Sequence, residues 1–177
     1  GLRPQHAEAQ GLLTRMGDEP PEPVPTVVVV DERAAPGAGP EVDTDRWGRL
    51  ATDVLVAEYL DEARIELTVH FVDEQSIADL RHDHLDGDGS PTDVLAFPVD
   101  DPAQVPGDQP VLLGDVVICP SVAGRQAVDG QRDYVDEVAL LLVHGILHLL
   151  GHDHAESDEK AVMQQREGEL LDRHHRL

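Results

Sequence analysis

HGILHLLGHDH (144–154) puts four histidines into eleven residues that are otherwise mostly Leu, Ile and Gly. His144 and His148 stand four apart, so on a helix their rings share one face about a turn apart. His152, another four on, would lie ~12 Å along the axis from His144. Zn–N bonds are only ~2 Å, so three rings stacked along that rise converge poorly on one centre. Gly151 sits where a helix commonly ends in a left-handed cap. A chain that stops there and turns back brings His154 into reach, giving H-x3-H-x5-H with His144, His148 and His154 as ligands. Separate core histidines would each need a buried polar partner of their own. One divalent ion takes a nitrogen from every ring at once, so a metal is the better reading.

Three histidines leave one position of a tetrahedral zinc open, the arrangement of catalytic rather than closed structural sites. A water held there has its pKa lowered to about 7, which points to hydrolysis. Nickel and cobalt also suit imidazole ligands. Zinc proteases of the H-E-x-x-H type keep a Glu directly after the first histidine; this chain has Gly145 there, which disfavours proteolysis. A helical Gly costs ~1 kcal/mol against Ala, so Gly145 implies a close approach of substrate or backbone.

Outward from this block, 133–150 reads as one long helix, apolar nearly all round from Val138 and therefore buried at the centre. Ser157 is placed to cap a final amphipathic helix reaching about His174. Upstream, strands are expected at 26–31, 64–73, 94–99 and 115–120. In the second of these, Ile65, Leu67, Val69 and Phe71 alternate with polar residues. Helices are expected from an Asp43 cap, over 74–83, and after Ser121. The sum is an α+β domain, helices packed on a small mixed four-stranded sheet around one buried helix that carries the metal ligands. The domain is assigned to 26–177. Residues 1–25, mixing Pro, Glu and Gly without periodicity, are expected to be a disordered or loosely attached extension, with Met16 a candidate start.

Composition narrows the function classes. The 177 residues carry 36 acids against 13 bases, a net charge of −23, and Lys160 is the only lysine. Such a field repels polyanions at long range and argues against broad nucleic-acid binding, while leaving room for a local Arg-lined groove. A single cysteine, Cys119, excludes an internal disulfide framework and a Cys-rich zinc module; it reads as a small buried hydrophobe. No apolar run reaches the ~20 residues of a bilayer span, and no secretory pattern opens the chain, so a cytoplasmic location is expected.

Three blocks, SPTDVLAFP (90–98), LLGDVVICP (112–120) and HGILHLLGHDH (144–154), resemble in order and spacing the YbeY family of bacterial endoribonucleases and rRNA maturation factors. The similarity runs from roughly 26 to 172. It implies a zincin-like fold with one zinc on His144, His148 and His154, and metal-dependent cleavage of single-stranded RNA. It further implies maturation of the 16S rRNA 3′ end and a part in ribosome quality control. The partners implied are ribosomal RNA and the ribosome or its associated proteins, with neither DNA nor membrane. Many members carry an arginine about six residues before the Thr of the Pro-Thr-Asp block, thought to hold RNA phosphate; here that neighbourhood is Leu85-Asp86. Arg81 and Arg125 are candidates by position to replace it.

Other assignments stay open between a role and ordinary structure. Asp153 either orients a ligand ring or caps the turn after Gly151. Asp115 either faces the site or serves a strand-start turn. Thr92 and Asp93 are expected in the cleft wall, and His152 reads as an exposed turn residue. DGDGSPTD (86–93) superficially resembles a calcium loop, but Phe97 stands where the twelfth-position Glu belongs. No residue is assigned as general acid or base. The rivals to the nuclease are a metal-dependent peptidase or amidase, and a non-catalytic ribosome-associated factor with a structural zinc.

Overall fold

The computed structural model describes residues 23–176. Residues 1–22 of the expected extension lie outside the described residues. In order, the chain forms β1 (Thr26–Asp31), α1 (Thr44–Ala57), β2 (Ile65–Phe71), α2 (Glu74–Leu85) and β3 (Val94–Pro98). β4 (Val111–Ile118), α3 (Pro120–Asp129), α4 (Tyr134–Leu149) and α5 (Ser157–His174) follow. The result is a small α+β domain with a four-stranded mixed sheet and five helices.

The sheet order is β1-β2-β4-β3, with β1, β2 and β4 parallel and β3 antiparallel to β4 at the edge. The alternation read in β2 decides which face is covered. Ile65, Leu67, Val69 and Phe71 are all buried, while Glu66 between them is exposed. They pack with Trp47, Leu50, Val54 and Leu55 of α1 and with the buried side of α4. On the opposite face, Ile77 of α2 joins Val72, Leu95, Val117, Cys119 and Val122 in a smaller cluster. β3 therefore looks both ways: Val94 and Ala96 pack on the main core, Leu95 and Phe97 on the smaller one.

Helix α4 is apolar over most of its surface. It packs against β3, β4, α1, α3 and α5, and ten of its sixteen residues are buried. Its end follows directly from Gly151, whose φ of +91° is the left-handed conformation glycine adopts at least cost. The Gly151 amide donates to His148 O and the His152 amide to Leu147 O, both at 3.0 Å, a paired cap that reverses the chain.

Two boundaries differ from the sequence expectation for local reasons. β4 starts at Val111, not 115, because Gly114 (φ +141°) absorbs a register shift against β2 without ending the strand. A Cβ at Gly114 would lie 2.2 Å from Phe97 O, so β3 runs against bare backbone there. α3 begins at Pro120, one residue ahead of Ser121, since Pro at a helix start sacrifices no hydrogen bond and arrives with helical φ. Asp43 caps α1 as expected, accepting from the Arg46 amide at 2.9 Å. No helix among the described residues is long and apolar enough to cross a membrane.

Candidate metal centre and its cleft

α4 presents His144 and His148 on one face, and the turn at Gly151 returns His154 to them. One ring nitrogen from each of the three lies within 4.8 Å of the others. His144 Nε2 and His148 Nε2 face each other at 3.0 Å. Donors on a tetrahedral zinc with bonds of 2.0–2.1 Å stand roughly 3.3 Å apart, so little movement separates these rings from ligand geometry.

The tautomer of His144 is fixed from behind. Glu167 on α5 lies 2.5 Å from His144 Nδ1 and is itself buried, so Nδ1–H donates to the carboxylate and Nε2 keeps its lone pair toward the cluster. Burial, then the neighbouring His144 and His154, holds the pKa of His148 below its ordinary value. A neutral imidazole is the form that binds metal. The residues present therefore fit a divalent transition ion: three convergent soft-to-borderline nitrogens, one with its second nitrogen already committed to a carboxylate.

Gly145 explains the missing acid. Its Cβ would sit 2.6 Å from Val116 Cγ1, so this position presses α4 onto β4. A side chain there would force Val116 to shift, so the packing disfavours a base at the residue after His144.

The triad lies where two cavities meet. One, about 490 Å³, is lined by Leu85, Pro98, Ala96, Gly145 and His148 among others; the second, about 380 Å³, is lined by residues of α4 and α5 together with Arg132 and Lys160. Asp93, Val94, His144 and His154 line both. Asp93 thus stands in the cleft wall, its carboxylate accepting from the Val94 amide at 2.7 Å and from Thr92 Oγ1 at 3.2 Å. Leu85, at the position lacking the arginine, lines the first cavity with a half-exposed apolar side chain.

Asp153 accepts from the His154 amide at 2.6 Å beside the triad, and its charge acts on His148. Other expected residues lie elsewhere. Asp115 faces the opposite side of the sheet and bonds His70 Nε2 at 2.7 Å. There it lines a cavity of about 390 Å³ with Glu32, His70, His84 and Phe97. Arg81 bonds Ser90 Oγ at 2.8 Å and pairs with Asp88, while Arg125 pairs with Glu74; neither lines the cavities at the triad. Cys119 is fully buried and free.

The family model described as Endoribonuclease YbeY matches residues 38–175. The chain belongs to the YbeY family. It is 44% identical to the Endoribonuclease YbeY of Salinispora tropica over 76% of this chain and 89% of the relative. With that of Thermobifida fusca it shares 47% identity over 76% and 87%. The solution structure of TM1509 from Thermotoga maritima is similar in fold, with a TM-score of 0.51 at 21% identity over 83% of this chain and 90% of that one. Within this YbeY-family chain, the residue that sequence reasoning missed is Glu167. Its signal was available: Met163, Leu170 and Leu171 are the buried positions of α5, and Glu167 falls four residues after the first and three before the second. An acid in a core stripe calls for a buried partner.

Proposed function

We propose that this chain is a metal-dependent endoribonuclease that cuts single-stranded RNA, with zinc as the favoured ion and nickel or cobalt as alternatives. The observation that carries the reading is the convergence of His144, His148 and His154 at the junction of two open cavities. Family membership supports RNA as the substrate, and with it a place in 16S rRNA 3′-end maturation and ribosome quality control, in the cytoplasm and with ribosomal partners. The buried helix bearing two of the three ligands supports a zincin-like reading of the fold.

When bound, the ion supplies Lewis-acid polarisation of a phosphate oxygen and an acidified water. The protein's own groups do the positioning. His144 is oriented by Glu167, His154 is delivered by the Gly151 turn, and Val94 with Asp93 walls the cleft on the β3 side. A structural-zinc reading fits less well, because His154 is exposed and both cavities reach the ligands. A peptidase of the H-E-x-x-H kind would need a carboxylate where Gly145 meets Val116.

The test is cleavage of a labelled single-stranded RNA by metal-loaded protein, chelated protein and His148→Ala, the last checked for folding by circular dichroism. Cleavage confined to the loaded wild type supports the nuclease. Equal behaviour of all three removes it, and casein turnover lost on chelation would put a peptidase in its place.

A further inference from the structure

The cavity of about 380 Å³ beside the triad sets two cations among three acids, Asp93, Glu137 and Glu167. Arg132, at the turn before α4, and Lys160, in the first turn of α5, both line it, with the amides Gln126 and Gln164. Among the described residues, Arg132 and Lys160 are the only Lys or Arg side chains lining either cavity at the histidines, in a chain with 36 acids and 13 bases. Lys160, in the first turn of α5, is exposed and enters no ion pair among the described residues.

Arg132 is anchored. Its Nη2 lies 2.7 Å from Glu137 Oε2, and Glu137 is a buried acid on α4, two turns before His144 on the same face. The pair is close but poorly aligned, leaving Oε2 without a directed hydrogen bond. Burial raises the pKa of Glu137 while Arg132 opposes it. A half-exposed guanidinium tethered to a buried carboxylate keeps several donors free for a second anion. The other acids of this cavity are engaged: Glu167 by His144 and Asp93 by the Val94 amide. A bound divalent ion then tips the lining from net negative to net positive.

We propose that Arg132 and Lys160 each contact a backbone phosphate of the RNA strand near the scissile one, so that the strand lies in the cavity between α4 and α5 that the two residues line. This assignment rests on the nuclease reading above. It supplies the phosphate contact that Leu85-Asp86 does not, from the other side of the metal centre.

The salt dependence of binding tests it, because each phosphate contact on a single strand contributes about 0.7 to the slope of log K against log salt. The full-length, metal-loaded protein is titrated on ice with a fluorescein-labelled single-stranded oligoribonucleotide, across roughly 50 to 300 mM KCl. Lys160→Gln should lower the slope by about 0.7 and weaken binding, whereas Lys160→Arg should restore both. Arg132→Gln alone would strand the buried Glu137, so it is made together with Glu137→Gln and its melting checked; it should lower the slope by a similar amount. Arg125→Gln, which removes one charge beside Glu74, should leave the slope unchanged. An unchanged slope in Lys160→Gln and in the Arg132/Glu137 pair overturns the assignment, as does an equal loss in Arg125→Gln. If the wild type still cleaves RNA in that case, the nuclease stands and only the phosphate contact falls. If the loaded wild type neither binds nor cleaves single-stranded RNA, both readings fall together.

Discussion

At the scale of single residues, Glu167 and Gly145 are the two positions whose chemistry is decided by what they touch. Glu167 accepts from His144 Nδ1 at 2.5 Å, so the Glu167→Gln variant keeps an acceptor but loses the charge that raises ligand basicity. Metal affinity should fall about tenfold, the low end of what such outer contacts contribute, with the far-ultraviolet spectrum unchanged. Competition against a chromogenic chelator measures this, and an affinity equal to wild type would show that the contact orients nothing. Glu167 was hard to read because it lies 23 residues from its partner, a separation that only the docking of α5 on α4 converts into contact. Gly145→Ala should destabilise by about 1–3 kcal/mol, since the new methyl meets Val116 Cγ1. Denaturant midpoints should show part of that loss recovered in Gly145→Ala with Val116→Ala, as expected of two residues in contact.

At the scale of elements, what the sequence revealed was whatever depends on near neighbours. The alternation of β2, the Asp43 cap, the length of α4 and the reversal at Gly151 all follow from spacings within about one or two turns. The same local rules misplaced the start of β4, because Gly114 reads as loop punctuation when it is in fact a bulge serving β3 across the sheet. They also left Asp115 ambiguous, since the face it takes depends on that bulge. In the folded sheet, Asp115 of β4 and Glu32 just after β1 grip His70 of β2, at 2.7 Å on Nε2 and 2.5 Å on Nδ1. Both nitrogens face carboxylates, an arrangement that favours the imidazolium form and joins three strands. Burial opposes that charge, but the two hydrogen bonds outweigh it and hold the pKa above the ordinary histidine value. A raised folded pKa stabilises fully below the unfolded value near 6.5 and loses its effect as pH rises through the folded value. Wild type should therefore exceed His70→Gln in urea stability most clearly near pH ~6, with the gap closing toward pH ~9. Glu32, Asp115 and His84 are the titratable groups lining this cavity with His70. A gap of equal size at both ends would mean that packing, not charge, is what His70 contributes.

At the scale of the whole molecule, where the net charge is −23, added salt should act on folding and on RNA binding in opposite directions. Like charges crowded onto one small domain repel more in the folded state than in the expanded chain, so screening should stabilise the fold. The Debye length falls from ~30 Å at 0.01 M to ~10 Å at 0.1 M, which spans the distances between acids on a domain of this size. The melting temperature of the metal-free protein should therefore rise by several degrees over that range, at about 3 °C for each kcal/mol regained. The RNA complex responds with the other sign, because the cations at Arg132 and Lys160 exchange phosphate for salt at short range. The long-range field slows approach of any polyanion, so a strand reaches the cleft by local capture and not by steering over the surface. A melting temperature flat in salt, measured alongside an RNA affinity that falls, would show that the acids are spaced to avoid one another and that only the cleft feels the ions. A rise in both would instead place the dominant RNA contacts outside the cationic wall, because long-range repulsion would then outweigh every phosphate the protein holds.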